Sequence, residues 1–386
     1  MTRRYDLDWL RVILFGILVV HHAAVGFAPF GAEIYGFAND RLAGDGLSLA
    51  IYFSHTWRLP ALFLIAGIGM YFATSRGFGA RFIGRRVLNL VLPAMFATFV
   101  LNLFAGHAIA WANDPTARFA DTLTDWWLSP EPRQVMHVWF LVNLTIYTIL
   151  CWPLFALRAR LERLDLSPPL MVAALVGIVT LIAVAFKPYA SAIAGDGYQF
   201  PWYLGIFASG FLIGAQHGAV LAWLARWWWA LLVAGLVGFA IDVGILVTYL
   251  ASNTALGIAL SEGGWAAAGL APAYGAVPVI SATVKGVNAW CLSLTALGMA
   301  ARYLNRPGRA LTTLGRATFP IYVLHFPITL ITLAVLAQVP WPWGWELLLL
   351  IAAVYGLTGG IYVLADRSSF PAILIGGRAR SAGPVP

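Results

Sequence analysis

Leu7-Asp8-Trp9-Leu10-Arg11 opens a run that continues through Val12–Val20 to His21-His22. The reading of this stretch decides the fold. From Trp9 to Ala28 the segment is apolar for about 20 residues, the length a helix needs to cross a bilayer. Arg11, His21 and His22 lie inside it, and no small-residue cleavage site follows. It therefore reads as a retained transmembrane helix and not as a signal peptide. The rest of the chain agrees. Of 386 residues, 61% are hydrophobic and 10% charged, against roughly 25% charged in a soluble domain. So few charges cannot coat a water-soluble fold of this size. This excludes a soluble enzyme, a disordered regulator and a nucleic-acid-binding module. Cys151 and Cys291 both sit in apolar runs, which argues against a disulfide framework or a thiolate metal site.

The expected fold class is an all-α integral membrane protein with about ten transmembrane helices. They fall near 9–28, 50–74, 87–110, 136–157, 168–187, 199–217, 227–250, 273–300, 312–337 and 344–365. The eighth is the least regular, with Pro272 and Pro278 at its start and Lys285 within it. With ten spans and a cytoplasmic N-terminus, the outer loops hold only Arg41, Arg118, Arg133 and Lys187 of the 24 basic residues. Most of the others fall on inner segments, as the positive-inside rule requires. Both termini are thus expected in the cytoplasm. Residues 1–376 read as one polytopic domain and 377–386 as a flexible cytoplasmic tail. The outer connections near 29–49 and 111–135 are acidic, and a third, near 251–272, is rich in Gly and Ala.

Ionisable groups at membrane depth are costly and usually face a cavity or a partner. At about 100° per residue, the eleven steps from Arg11 to His22 close three turns plus about 20°. The two residues share a face, about 16 Å apart along the axis, whereas His21 falls about 80° away. Asp8, one turn before Arg11, is placed to pair with it. A guanidinium near the cytoplasmic surface suits a phosphate, and a deeper imidazole suits general-base work. A snorkelling anchor and a packed histidine fit the same residues. Arg58, near the start of the second segment, reads as a ligand for acceptor hydroxyls or an oxyanion, or as a headgroup anchor. Arg81, Arg85 and Arg86 before the third segment suit phosphates and equally suit topology. His137 beside Trp139 suits a sugar, or the aromatic belt. His325, just before Pro327 in Tyr322-Val323-Leu324-His325-Phe326-Pro327, lines a cavity or is satisfied by a freed carbonyl. Asp242 and Lys285 are expected to pair structurally. No phosphate-binding glycine loop, zinc-binding His pair or nucleophile elbow is present.

Together these elements resemble the membrane acyltransferase 3 family. The matching stretches are Leu7–Arg11 followed by ten residues and His22, Phe63-Leu64-Ile65-Ala66-Gly67, Arg86 upstream of Pro93, His137–Leu141 and Ile321–His325. Within the family the chain is most similar to the succinyltransferases of osmoregulated periplasmic glucans. The resemblance implies transfer of an acyl group from cytoplasmic acyl-CoA, acetyl-CoA or succinyl-CoA, to a hydroxyl of an extracytoplasmic carbohydrate such as a glucan or surface polysaccharide. It implies a multi-pass protein of the bacterial inner membrane, in contact with lipids, without nucleic acid, metal or a permanently bound cofactor. A homo-oligomer is compatible with it.

By resemblance His22 is the catalytic histidine, Arg11 helps hold the donor and Arg86 matches the first arginine of the family's pair. From their placement, Asp8 is expected to orient Arg11, and Arg81 and Arg85 to join Arg86 on the donor phosphates. Arg58, His137, Trp139, His325 and Tyr322 would serve the acceptor side, with Arg58 or Tyr322 stabilising the oxyanion. Asn89 stands where the family's second arginine of a pair is usual, and Ala66 replaces a usual Ser. A secondary transporter is the alternative class. It predicts solute flux without acyl turnover, yet the inverted repeats common in such proteins are not visible. A non-catalytic scaffold would have no need of Arg and His on one buried stripe.

Overall fold

The computed structural model describes residues 3–37, 39, 41–75, 77–130, 135–186, 199–252 and 276–377. Most of the Gly- and Ala-rich connection, Asp40, Arg76, Glu131, Arg133, Lys187 and the tail from residue 378 lie outside them. The protein is all-helical, 84% helix, with no strand among the described residues. The helices are α1 (Tyr5–Val25), α2 (Gly31–Tyr35), α3 (Asp45–Thr74), α4 (Ala80–Phe96), α5 (Asn102–Asn113), α6 (Phe119–Leu128), α7 (Trp139–Leu150), α8 (Trp152–Ala156), α9 (Arg158–Leu161), α10 (Pro168–Phe186), α11 (Gln199–Ala215), α12 (His217–Ser252), α13 (Val277–Tyr303), α14 (Arg309–Leu336), α15 (Trp343–Ala365) and α16 (Ser369–Leu374).

Among the described residues, seven helical stretches are long and apolar enough to cross a membrane: α1, α3, Ala80–Asn113, and the apolar lengths of α10, α12, α14 and α15. The third joins α4 to α5 through a π-helical turn at Ala97–Leu101. Two further apolar helices, Met136–Leu150 and Phe200–Ala215, are shorter. The expected segment 136–157 is broken after α7. Pro153, at the start of α8, has no N–H to continue the ladder. The expected eighth segment is helical as α13 but, with Lys285 inside it, is not among the seven.

The described residues fall into two compact units. The first takes in Met1–Arg11, His55–Ile83 and Ile146–Pro307. Its helices approach closely at glycines: Gly67 of α3 lies against the Phe207 carbonyl of α11, and Gly210 of α11 against the Leu64 carbonyl. The Phe63 and Tyr203 rings stack beside this crossing, 4.6 Å between centroids. Asp242 of α12 and Lys285 of α13 form the expected pair at 3.9 Å.

A Cβ at position 67 would meet main-chain atoms of α11, which cannot rotate away as a side chain does. Gly67→Val is therefore expected to abolish folded protein, where ordinary overpacking costs about 1–3 kcal/mol. Gly69 has nothing within 4 Å of the equivalent Cβ position, and Gly69→Ala is expected to be neutral or slightly stabilising. The yield of monodisperse detergent-solubilised protein compares the two. A well-behaved Gly67→Val protein would refute the packing argument.

The second unit takes in Val12–Ser54, Gly84–Thr145 and Gly308–Pro386. Its core is built on Val19, Ala23 and Phe27 after the first turns of α1, Ala105 and Ala108 of α5, Leu330, Leu333 and Ala334 of α14, and Leu350 and Val354 of α15. Small residues on α1 and α5 let these helices sit close to α14. Gly26 lies directly against the Leu333 side chain.

Candidate functional site

Within the second unit α1 ends at Val25 with His22 in its last turn, where the helix dipole favours a basic group. The two neighbouring histidines go to different partners. His21 places Nδ1 2.7 Å from Ser54 Oγ, whose own hydrogen goes to the Ile51 carbonyl at 3.0 Å. His22 places Nδ1 2.9 Å from Nε2 of His325 on α14. The His22 and His325 rings are nearly parallel, at 7° and 5.0 Å between centroids. His325 is wholly buried, while His22 is half-buried. The Tyr35 hydroxyl of α2 donates to the His22 carbonyl, tying the end of α1 to the segment that follows.

α14 is shaped by Pro327, which lacks the N–H that would bond the Val323 carbonyl in an unbroken helix. His137 takes that carbonyl instead, with Nε2 donating at 3.0 Å. In return the Tyr322 hydroxyl donates to the His137 carbonyl at 2.7 Å. The freed carbonyl thus serves His137, whereas His325 turns Nδ1 to the Tyr322 carbonyl at 2.6 Å. His137 sits in a 3₁₀ turn, Met136–Val138, entered through Met136 at φ +44°. A non-glycine residue in the left-handed region is uncommon, and such conformations concentrate at functional sites. His137 is 6% exposed, and its Nδ1 has no hydrogen-bond partner among the described residues. Phe326 binds the group together. It stacks on His137 at 5.2 Å, and meets His22 edge-on at 5.1 Å and Tyr35 at 5.7 Å.

Four of the expected residues, His22, His137, Tyr322 and His325, thus come together in one unit. Trp139 begins α7 immediately after the His137 turn and is half-buried. Arg85 is exposed and Arg86 half-buried on α4 in the same unit, whereas Arg81 counts with the first unit and is exposed. In the first unit, Asp8 accepts from Arg3 at 3.0 and 2.8 Å and from Arg11 at 3.3 Å. The expected Asp8–Arg11 pair is present, and Asp8 shares it with Arg3. Arg11 is exposed. Arg58 differs from the expectation of a residue near the start of its span. α3 begins at Asp45, so Arg58 lies about 20 Å along it and is 1% exposed.

Tyr35 and Phe326 are two residues of the site that the sequence reading misses. Phe326 is legible as the neighbour of His325 before Pro327. Nothing in the sequence points to Tyr35, whose role depends on the fold of the loop after α1.

The family model of the acyltransferase domain Acyl_transf_3 matches residues 4–364. The chain belongs to the acyltransferase 3 family. No curated protein and no solved structure matched significantly. In this acyltransferase the matched region contains every site residue expected from the sequence, together with all but the last residue of the seven apolar helices found among the described residues of this multi-pass membrane protein.

Proposed function

We propose that this acyltransferase moves an acyl group from cytoplasmic acyl-CoA to a carbohydrate hydroxyl on the outer side of a bacterial inner membrane. The observation that carries the reading is the meeting of His22, the histidine eleven residues after Arg11, with buried His325 beside Phe326 and His137. In this reading the chain crosses the membrane ten times as a single polytopic domain with both termini in the cytoplasm. The shorter helices α7 and α11 and the polar helix α13 are then the three further crossings. Arg11, Arg81, Arg85 and Arg86 receive the CoA phosphates.

The acceptor hydroxyl oxygen attacks the thioester carbonyl carbon while His22 takes the hydroxyl proton. A donor such as Arg58 stabilises the oxyanion, since the one hydrogen of the Tyr322 hydroxyl is held by the His137 carbonyl. Collapse breaks the C–S bond, and the proton passes from His22 to the thiolate sulfur. His137 and Trp139 serve the acceptor. A periplasmic glucan is the acceptor class, and succinyl and acetyl the donor classes, that the resemblance supports.

The test uses the full chain in sealed vesicles, with labelled succinyl-CoA or acetyl-CoA on the cytoplasmic side and glucan on the other. Label on the glucan is the expected result, and the productive donor names the acyl group. Solute flux without CoA release from either donor, across glucan and polysaccharide acceptors, overturns the reading. Arg11→Ala is expected to raise the KM for acyl-CoA about tenfold or more. Asp8→Asn, which leaves the guanidinium in place, is expected to be milder. The reverse ranking in the same assay rejects a supporting role for Asp8.

A further inference from the structure

We infer that His325 is a positioning residue that fixes the tautomer of His22 and so presents its Nε2 lone pair to the acceptor hydroxyl. This rests on the reading of His22 as the general base. A neutral imidazole has one N–H and one lone pair, and a carbonyl oxygen can only accept. His325 Nδ1 lies 2.6 Å from the Tyr322 carbonyl, so the hydrogen of neutral His325 is on Nδ1. Its Nε2 is then an acceptor. The atom 2.9 Å away, His22 Nδ1, must carry the hydrogen of that bond. His22 is left with its lone pair on Nε2, the form a base needs. The opposite tautomer would set two lone pairs against each other at one of these contacts.

The rest of the site holds His325 in this register. Its carbonyl accepts from the Thr329 hydroxyl at 2.8 Å. The His137 ring stands edge-on to it at 5.2 Å, fixed by the Val323 carbonyl that Pro327 frees. When His22 Nε2 takes the hydroxyl proton, the imidazolium keeps its Nδ1–H on His325 Nε2. No second proton has to move. An orienting acceptor behind a catalytic histidine is the arrangement by which hydrolytic triads hold their base, and a wrong tautomer there costs orders of magnitude in rate.

Two measurements test this. In the transfer assay, His325→Leu is expected to lower kcat about 100-fold or more with KM nearly unchanged. His325→Gln, whose side-chain oxygen reaches the place of Nε2 and accepts, is expected to stay within about tenfold of wild type. Full activity in His325→Leu, or equal losses in the two variants, overturns the role. Independently of any variant at position 325, nitrogen NMR of 15N-histidine-labelled wild type in nanodiscs reads the tautomer. The His22 signal is assigned by its loss in His22→Gln. Hydrogen on Nδ1 is expected in mildly alkaline buffer, and hydrogen on Nε2 overturns the inference. If His22→Gln itself turns over normally, it is the general-base reading that fails. If His22→Gln is dead and His325→Leu is fully active, only the positioning role fails.

Discussion

His22→Ala is expected to lower acyl turnover about 10²- to 10⁴-fold, the usual contribution of a positioned general base, in a protein that still folds. The second half of this expectation follows from what position 22 does for the structure. The bond from Tyr35 ends on the His22 main-chain carbonyl, which alanine keeps. Alanine is also the best helix former for the last turn of α1. What is lost is the ring against Phe326 and the hydrogen on His325 Nε2. Leaving that buried acceptor unpaired costs about 1–3 kcal/mol, enough to lower the thermal midpoint and not enough to unfold the unit. His21→Ala supplies the contrast. It removes a bond to Ser54 and a tilted ring contact with His22 but leaves the His22–His325 bond in place, so turnover within a few-fold of wild type is expected. Turnover and thermal unfolding are measured on all three proteins. An inactive His21→Ala beside an active His22→Ala would move the chemistry to the other histidine.

That these adjacent histidines face different ways is legible in the amino-acid sequence alone. A helical turn carries Arg11 to His22 and leaves His21 about 80° away, and α1 is one unbroken helix from Tyr5 to Val25. Local rules of this kind need only the chain's own period. The partner of His22 is not legible, because His325 is 303 residues away and no local rule brings α14 to the end of α1. Pro327 is an intermediate case. It announces an orphan carbonyl at Val323, and the sequence offers His325, its near neighbour, as the donor. The fold supplies His137 from 186 residues away. Arg58 shows how boundaries mislead. Hydropathy alone sees the apolar stretch that starts near residue 50, while the helix is extended by polar residues back to Asp45. The same blindness works in reverse at Pro153, where an apolar run that reads as one span is cut by a missing N–H.

Breaking the Arg41–Glu346 pair is expected to be the most damaging loss of a polar contact outside the histidine cluster. Charge counting places Arg41 among the few basic residues on the outer side and gives it no role. Its Nε lies 2.7 Å from a Glu346 carboxylate oxygen, and its Nη2 donates to the Ala337 carbonyl at 2.9 Å. Glu346 is wholly buried in the first turn of α15, where the helix N-terminus favours an anion. Its other oxygen accepts from Asn39 at 3.3 Å. Arg41 therefore ties the loop after α2 to the α14–α15 connection, and the same loop is bonded to the end of α1, Ala43 N–H to the Phe27 carbonyl at 2.8 Å. Removing one partner of a buried pair leaves an uncompensated charge and costs about 3–5 kcal/mol. Arg41→Leu, which strands the Glu346 carboxylate, should thus lower the thermal midpoint sharply. Glu346→Gln, which keeps an acceptor for Arg41, should be milder. Replacing both partners with leucine should recover part of the Arg41→Leu loss, since a buried pair is often no better than apolar packing. Because this loop also fixes Tyr35 on His22, turnover in Arg41→Leu should fall even at temperatures where the protein stays folded. A thermal midpoint unchanged in Arg41→Leu would mean that Glu346 is held by other groups and that the loop is not latched through this pair.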